Sequence, residues 1–259
     1  MFLGCSSLKT VDANLSPLTN GAYMFSECTA LNTFTSDLRS LTNGEQMFAG
    51  CYSLTDFNSD DLSSLTDGSS MFYHCTKLTT FSSVLSSLTN GSGMFHNCTS
   101  LTTFTSDLSS LTDGTKMFYN CSQLTPFTSD LSNLKYGNNM FHNCSALVTF
   151  TSDLSSLANG TNMFYGCTSL TTFTSDLSSL TDGTKMFSHC EKLETFTSPL
   201  NSLDDARLMF QYCTSLTKFN SNLISPETGK SSLTDGYSMF DGCSKLSEFT
   251  SDLSSLTGG

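Results

Sequence analysis

The sequence predicts an α/β solenoid: eleven stacked coils of about 23 residues, a parallel sheet on one face and short helical turns on the other. Three observations carry this reading. The string Met-Phe-x-x-Cys occurs eleven times and holds every Met and every Cys of the 259-residue chain. The cysteines fall 23 residues apart, except for one gap of 24 (Cys51 to Cys75) and one of 30 (Cys213 to Cys243). Ten further phenylalanines, Phe34 to Phe249, recur six residues after a Cys, and Val11 fills that slot in the first copy. A 23-residue unit is too short to bury its own core, but it suits a coil that covers the apolar face of its neighbour.

Each part of the unit has its own local signal. Leu101-Thr-Thr-Phe-Thr-Ser106 is rich in Thr and Phe and reads as a short strand, so stacked copies should form a parallel sheet. Asp107 then caps a turn holding Leu108 and Leu111, because its carboxylate can accept from free backbone amides just ahead. The Asx-Gly step (Asp113-Gly114, Asn90-Gly91) is a turn signal in which Gly is free to take positive φ, although Ala206 stands there once. Met117, Phe118, Cys121 and Leu124 follow i, i+1, i+4, i+7 spacing, one face of a helical turn. The chain is therefore expected to be a single solenoid over residues 1–259, with 224–231 as an inserted loop. That loop, Ser225-Pro-Glu-Thr-Gly-Lys-Ser231, contains Pro and Gly and should project from the rigid scaffold.

The pattern Cys-x-x-Leu-x-x-Phe joined to Met-Phe-x-x-Cys resembles the BspA-like (treponemal-type) leucine-rich repeat, along the whole chain. The resemblance implies a leucine-rich repeat solenoid. It also implies an extracellular or cell-surface protein, since the family is found chiefly on microbial surfaces and acts there in adhesion and partner binding.

Composition excludes several function classes. The formal net charge is −12, which lacks the basic footprint that phosphate neutralisation needs, so no nucleic acid is expected as a partner. No apolar run reaches the length of a membrane span. No basic, apolar leader opens the chain, so a secretion signal is expected to be absent or already removed. Eleven cysteines, one per coil, do not look like a disulfide framework, and no Cys-x-x-Cys pair suggests zinc. They read as a buried ladder of free thiols, and neither a metal nor another cofactor is expected. The Asp row (Asp37, Asp107, Asp130, Asp153, Asp176, Asp252, with Asp60 or Asp61 in the longer coil) reads as turn caps, with calcium along the row as the alternative. An enzyme is not expected. Ser, Asp and His recur with the consensus, no copy forms a singular constellation, and Gly-x-Ser-x-Gly is absent.

Two surface rows are the candidate contact sites. Phe104 should point inward, which turns Thr103 and Thr105 outward, and the same applies to Thr149/Thr151, Thr172/Thr174 and Thr195/Thr197. This face is either a solvated strand surface or an ordered binding surface for a glycan, a partner strand or an ice-like water lattice. Asp56, Pro126, Lys218 and Glu248 interrupt it. The residue after Met-Phe gives Tyr73, His96, Tyr119, His142 and Tyr165 in successive coils. Those rings either stack on one another over the seams or stand free to stack on sugars and side chains. Six glycosylation sequons (Asn14, Asn90, Asn97, Asn120, Asn143, Asn159) read mostly as chance, since three are only an Asn before the repeated Cys.

Three functions follow. The first is a non-enzymatic surface protein for adhesion or scaffolding, with a protein or glycan ligand. The second is a subunit or stretch of an extracellular fibre that self-associates end to end, because the chain starts and stops inside a repeat. The third is an ice-binding solenoid.

Overall fold

The computed structural model describes residues 1–59 and 61–257. It is a β-solenoid in which Leu, Phe, Met and Cys of each coil stack on their equivalents in the next. Leu101, Phe104, Leu108, Leu111, Met117, Phe118 and Cys121 are all essentially without solvent exposure. Phenylalanines form two parallel columns. Phe95, Phe118 and Phe141 stack at 5.5–5.6 Å with nearly parallel rings, and Phe81, Phe104 and Phe127 at 5.8–6.1 Å. The columns meet edge to face, as between Phe104 and Phe118 at 4.9 Å. That is the arrangement the ring quadrupole favours.

The strands are two residues long: β1 (Thr10–Val11), β2 (Thr33–Phe34), β3 (Asp56–Phe57), β4 (Thr80–Phe81), β5 (Thr103–Phe104), β6 (Thr149–Phe150), β7 (Thr172–Phe173), β8 (Thr195–Phe196), β9 (Lys218–Phe219) and β10 (Glu248–Phe249). All pairing between them is parallel. The parallel sheet expected from the repeat forms, but it is interrupted rather than continuous. Among the described residues, ten strands are divided among four small sheets, β1-β2-β3, β4-β5, β6-β7 and β8-β9-β10. One break falls at Pro126, which has no amide to donate and leaves Phe127 with a lone bridge to Phe150. Another falls between β3 and β4, where the coil has its extra residue. The ladder that runs furthest lies elsewhere, at the Asx slot. Asn20, Asn43, Asp67, Asn90, Asp113, Tyr136, Asn159, Asp182, Asp205 and Asp235 bridge in sequence, all parallel.

The expected helical turns are absent; no helix occurs among the described residues. Met117 N–H donates to the carbonyl of Gly114 at 2.9 Å and Cys121 N–H to that of Phe118 at 3.0 Å, three residues back rather than four. Two of the three intervening amides point to the next coil, Phe118 N–H donating to Met140 and Asn120 N–H to His142, while Tyr119 N–H donates to Lys116 within its own coil at 3.2 Å. Each of these two turns has a residue at positive φ in its third position, Lys116 (57°) and Asn120 (58°), which makes them type II turns. The same two slots, before Met and before Cys, are left-handed throughout the stack, mostly in residues other than glycine. A left-handed residue at four-residue intervals is incompatible with an α-helix. Spacing of i, i+1, i+4, i+7 fits a train of β-turns as well as it fits a helix.

The Asp row caps turns, as its position in the repeat predicts. Oδ1 of Asp37, Asp61, Asp107, Asp130, Asp153, Asp176 and Asp252 accepts from the amide two residues on at 2.8–3.0 Å. Asp61 therefore fills the slot in the longer coil; Asp60 and the last two glycines lie outside the described residues. The Asx of the Asx-Gly step accepts in the same way, as Asp113 does from Thr115 at 2.9 Å. The glycine beside it does not take positive φ. A Cβ on Gly114 would stand 2.9 Å from Met140 Sδ and 3.2 Å from Leu134 Cδ1, so close approach between coils is what selects Gly. Ala206, which stands in that slot once, is fully buried.

Candidate binding surfaces

The strand pleat buries Phe104, Phe150, Phe173 and Phe196 and leaves Thr103, Thr105, Thr149, Thr151, Thr172, Thr174, Thr195 and Thr197 exposed. The β6/β7 pair sets Thr149 beside Thr172, and β4/β5 sets Thr80 beside Thr103. Thr80 thus joins a face that the Thr-Phe-Thr pattern alone did not include. Thr195 pairs instead with Lys218, whose ammonium sits 3.1 Å from Glu248, so the face becomes charged toward the C-terminal coils. Just inside it runs a buried row of serines. Some bond along the row, as Ser129 Oγ does to the carbonyl of Ser106 at 2.8 Å. Others, including Ser59, Ser106, Ser152 and Ser221, have hydroxyls with no protein partner among the described residues.

The Tyr/His residues form a ladder of stacked rings. Centroids of His96 and Tyr119 are 4.6 Å apart, Tyr119 and His142 4.5 Å, and His142 and Tyr165 4.6 Å, with planes within 10° of parallel. Tyr73 caps the row with a tilted contact to His96 at 4.9 Å. Tyr73 is exposed, whereas the other four rings are half-buried. Ser188 ends the row, since it takes this slot in the coil after Tyr165. Burial, with smaller contributions from His74 and Lys116, pulls the His96 imidazole down to about 4, and burial likewise lowers His142. Uncharged imidazoles can lie face to face with phenol rings along a file that is too crowded to hold separate charges.

Beside the rings lies a second ladder that spacing did not reveal. Asn120 Nδ2 donates to Asn97 Oδ1 at 2.8 Å, Asn143 Nδ2 donates to Asn120 Oδ1 at 3.0 Å, and Asn97 Nδ2 meets His74 Nε2 at 3.1 Å. These asparagines are three of the sequons, and they occupy a left-handed slot that Asn tolerates better than most residues. That slot is the signal that would have found them, since Asn and Gly cluster in it.

The thiols line the interior. Each from Cys28 to Cys243 donates to a phenylalanine carbonyl of the preceding coil, at 3.1 Å for Cys144 and Phe118. Burial pushes the Cys51 thiol up to about 12, and others such as Cys75, Cys121 and Cys190 well above the ordinary thiol range. Among the described residues, no three His, Cys, Asp or Glu side chains are grouped to hold a metal ion, and no helix is long and apolar enough to cross a membrane.

Stacked coils with columns of Leu, Phe and Cys and an exposed strand face define a leucine-rich repeat protein. The family model for the BspA type leucine rich repeat region matches in six copies, over residues 1–90, 66–158, 91–217 and 137–257, and the chain belongs to that family. Two solved structures are similar. A leucine rich cell surface protein from Faecalibacterium prausnitzii is 21% identical, with a TM-score of 0.41, covering 95% of this chain and 80% of its own. A leucine-rich repeat protein from Bacteroides ovatus is 20% identical, with a TM-score of 0.41, covering 96% and 85%. No curated protein matches the chain.

Proposed function

We propose that this chain is a non-enzymatic repeat protein of a microbial cell surface, which adheres to a protein or glycan partner through its threonine face. Membership of the BspA-type family supports the surface setting. The observation that carries the contact assignment is the paired, exposed threonines of β6/β7 and β4/β5, held on a backbone fixed by buried phenylalanine columns. Such residues have little freedom left to lose on binding, because β-branched side chains on a rigid strand are already restricted. The edge of the Tyr/His ladder offers a second, amphipathic contact line. Breaks at Asp56, Pro126, Lys218 and Glu248 favour a partner with mixed chemistry over a repeating ice lattice.

The test is a matrix-protein and glycan array probed with the wild type, the Thr149→Lys/Thr172→Lys variant and a Tyr119→Ala variant. Loss of captured partners in the first variant, with an unchanged melting temperature, supports the reading. Equal capture by all three chains overturns the assignment of both surfaces.

A further inference from the structure

Both interruptions of the 23-residue spacing open a cavity at the same seam, where the strand hands over to the capped turn. Beside the 24-residue gap lies a cavity of about 210 Å³ lined by Thr35, Asp37, Arg39, Asn58, Ser59 and Asp61. Beside the 30-residue gap lies one of about 400 Å³ whose polar lining includes Thr197, Asn220, Ser221, Asn222 and Asp252. The slots correspond: Thr35 and Thr197 follow a strand Phe, and Ser59 and Ser221 belong to the buried serine row. The two coils share a further departure. After the strand Phe the other coils have Thr or Ser, whereas these two have Asn58 and Asn220. A length change, a switch to Asn and a cavity therefore occur together twice.

Only the larger cavity falls within the roughly 300–1,000 Å³ usual for small-ligand sites. Its polar groups are positioned by bonds that leave them spare capacity. Asn220 Oδ1 accepts the Thr250 hydroxyl at 2.6 Å and Asn222 Oδ1 accepts the Ile224 amide at 3.0 Å, so both side-chain NH₂ groups remain for a ligand. Asp252 accepts Ser254 N–H on one carboxylate oxygen at 2.8 Å and keeps the other. Ser221 is 3% exposed and its Oγ has no protein partner among the described residues. An apolar wall of Pro199, Leu223 and Ile224 completes the lining, and Ile224 is pinned by an antiparallel bridge to Ser231 at the base of the inserted loop.

Amide donors beside a carboxylate acceptor suit neighbouring hydroxyls that must donate and accept at once, and the apolar wall suits a ring's C–H face. Among the described residues, no cationic side chain lines the cavity, which disfavours an anionic ligand. A single carboxylate is fewer than calcium loops employ. We propose that this cavity is a saccharide subsite that takes one neutral pyranose ring. It is separate from the paired threonines of β6/β7 and stands if the reading of that face fails.

Saturation-transfer NMR with millimolar methyl glycosides of glucose, galactose, mannose and N-acetylglucosamine tests it. At least one glycoside should give transfer to its ring protons. Ser221→Ala removes a buried hydroxyl that no protein group uses, so its melting temperature should hold while affinity falls about tenfold, the worth of a strong hydrogen bond. Asn220→Thr restores the residue of the neighbouring coils and should abolish transfer. Silence from every glycoside, or undiminished transfer in both variants, overturns the proposal. Transfer lost in Thr149→Lys/Thr172→Lys but kept in Asn220→Thr would place the sugar on the threonine face and also overturn it.

Discussion

The Sγ of Cys121 stands 3.2 Å from the carbonyl oxygen of Phe95 in the preceding coil, and the same oxygen accepts the amide of Cys98 at 3.0 Å. One carbonyl thus closes the turn within its own coil and ties down the thiol of the next. Repeated from Cys28 to Cys243, this bond explains why the repeat has Cys where a small apolar residue would fill the same volume.

Thiol reactivity follows. The thiolate is the reactive form, and burial holds the interior cysteines far above the ordinary range. Labelling of the native protein with a chromogenic disulfide at pH 8 should consume the exposed Cys5 quickly and the partly exposed Cys243 slowly. All eleven should react once the chain is denatured. Rapid native labelling of more than two thiols would contradict the ladder. Cys121→Ala should cost about 1–2 kcal/mol in denaturant unfolding, because Phe95 O keeps its amide partner and only the S–H bond and a small volume are lost.

Acid should weaken the ring ladder. The folded pKa of His96 is depressed from 6.5 to about 4, so between these values the unfolded chain binds more protons. Stability is then greatest above pH 6.5 and falls as pH drops toward 4. His96→Tyr keeps a ring in the stack and removes the titration. Melting temperatures from pH 7 to 4 should decline less steeply for this variant than for the wild type, and parallel profiles would dissociate His96 from the effect.

Asn120 serves two purposes that a pair of variants separates. Asn120→Ala loses both ladder bonds and forces a Cβ-bearing, non-Asn residue to stay left-handed, about 1–2 kcal/mol for the conformation alone. Asn120→Gly loses the same bonds but accepts the conformation freely. Glycine should therefore be the more stable variant in urea unfolding. Equal stabilities would mean that positive φ carries no strain in this turn.

Asp107→Ala should cost about 1 kcal/mol, the usual value of a lost side-chain cap, while Asp107→Asn should cost little because its Oδ1 still accepts from Ser109. Thermal unfolding of both variants checks this. A large loss in the Asn variant would point to the charge, as a cation along the row would require.

Much of this architecture is legible in the chain because a repeat shows the same restraint many times. Phe104, Leu108, Cys121 and their equivalents are conspicuous as columns before any coordinate is known, and the threonines flanking Phe150 and Phe173 must then face out. The turn geometry was not legible. Met117, Phe118, Cys121 and Leu124 have the same spacing on a helix and on consecutive β-turns, and only the backbone direction of Lys116 and Asn120 separates the two. The Asx-Gly step leaves Gly114 free to be left-handed, whereas it is small because Met140 lies against it. The Asn97–Asn120–Asn143 ladder and the seam at Asn220 depend on neighbours one coil away, which no single unit displays.

Composition and period by themselves determined that the chain coils, which side chains it buries and which slot bears each cap, because those follow from hydrophobic burial and local hydrogen bonding within 23 residues. Tertiary structure decided the rest: whether amides bond within the coil or to the next, where the strand ladder breaks, and which rings and amides stack. Those outcomes turn on contacts of a few ångströms between residues about 23 positions apart, and a linear pattern can align such residues but cannot orient them.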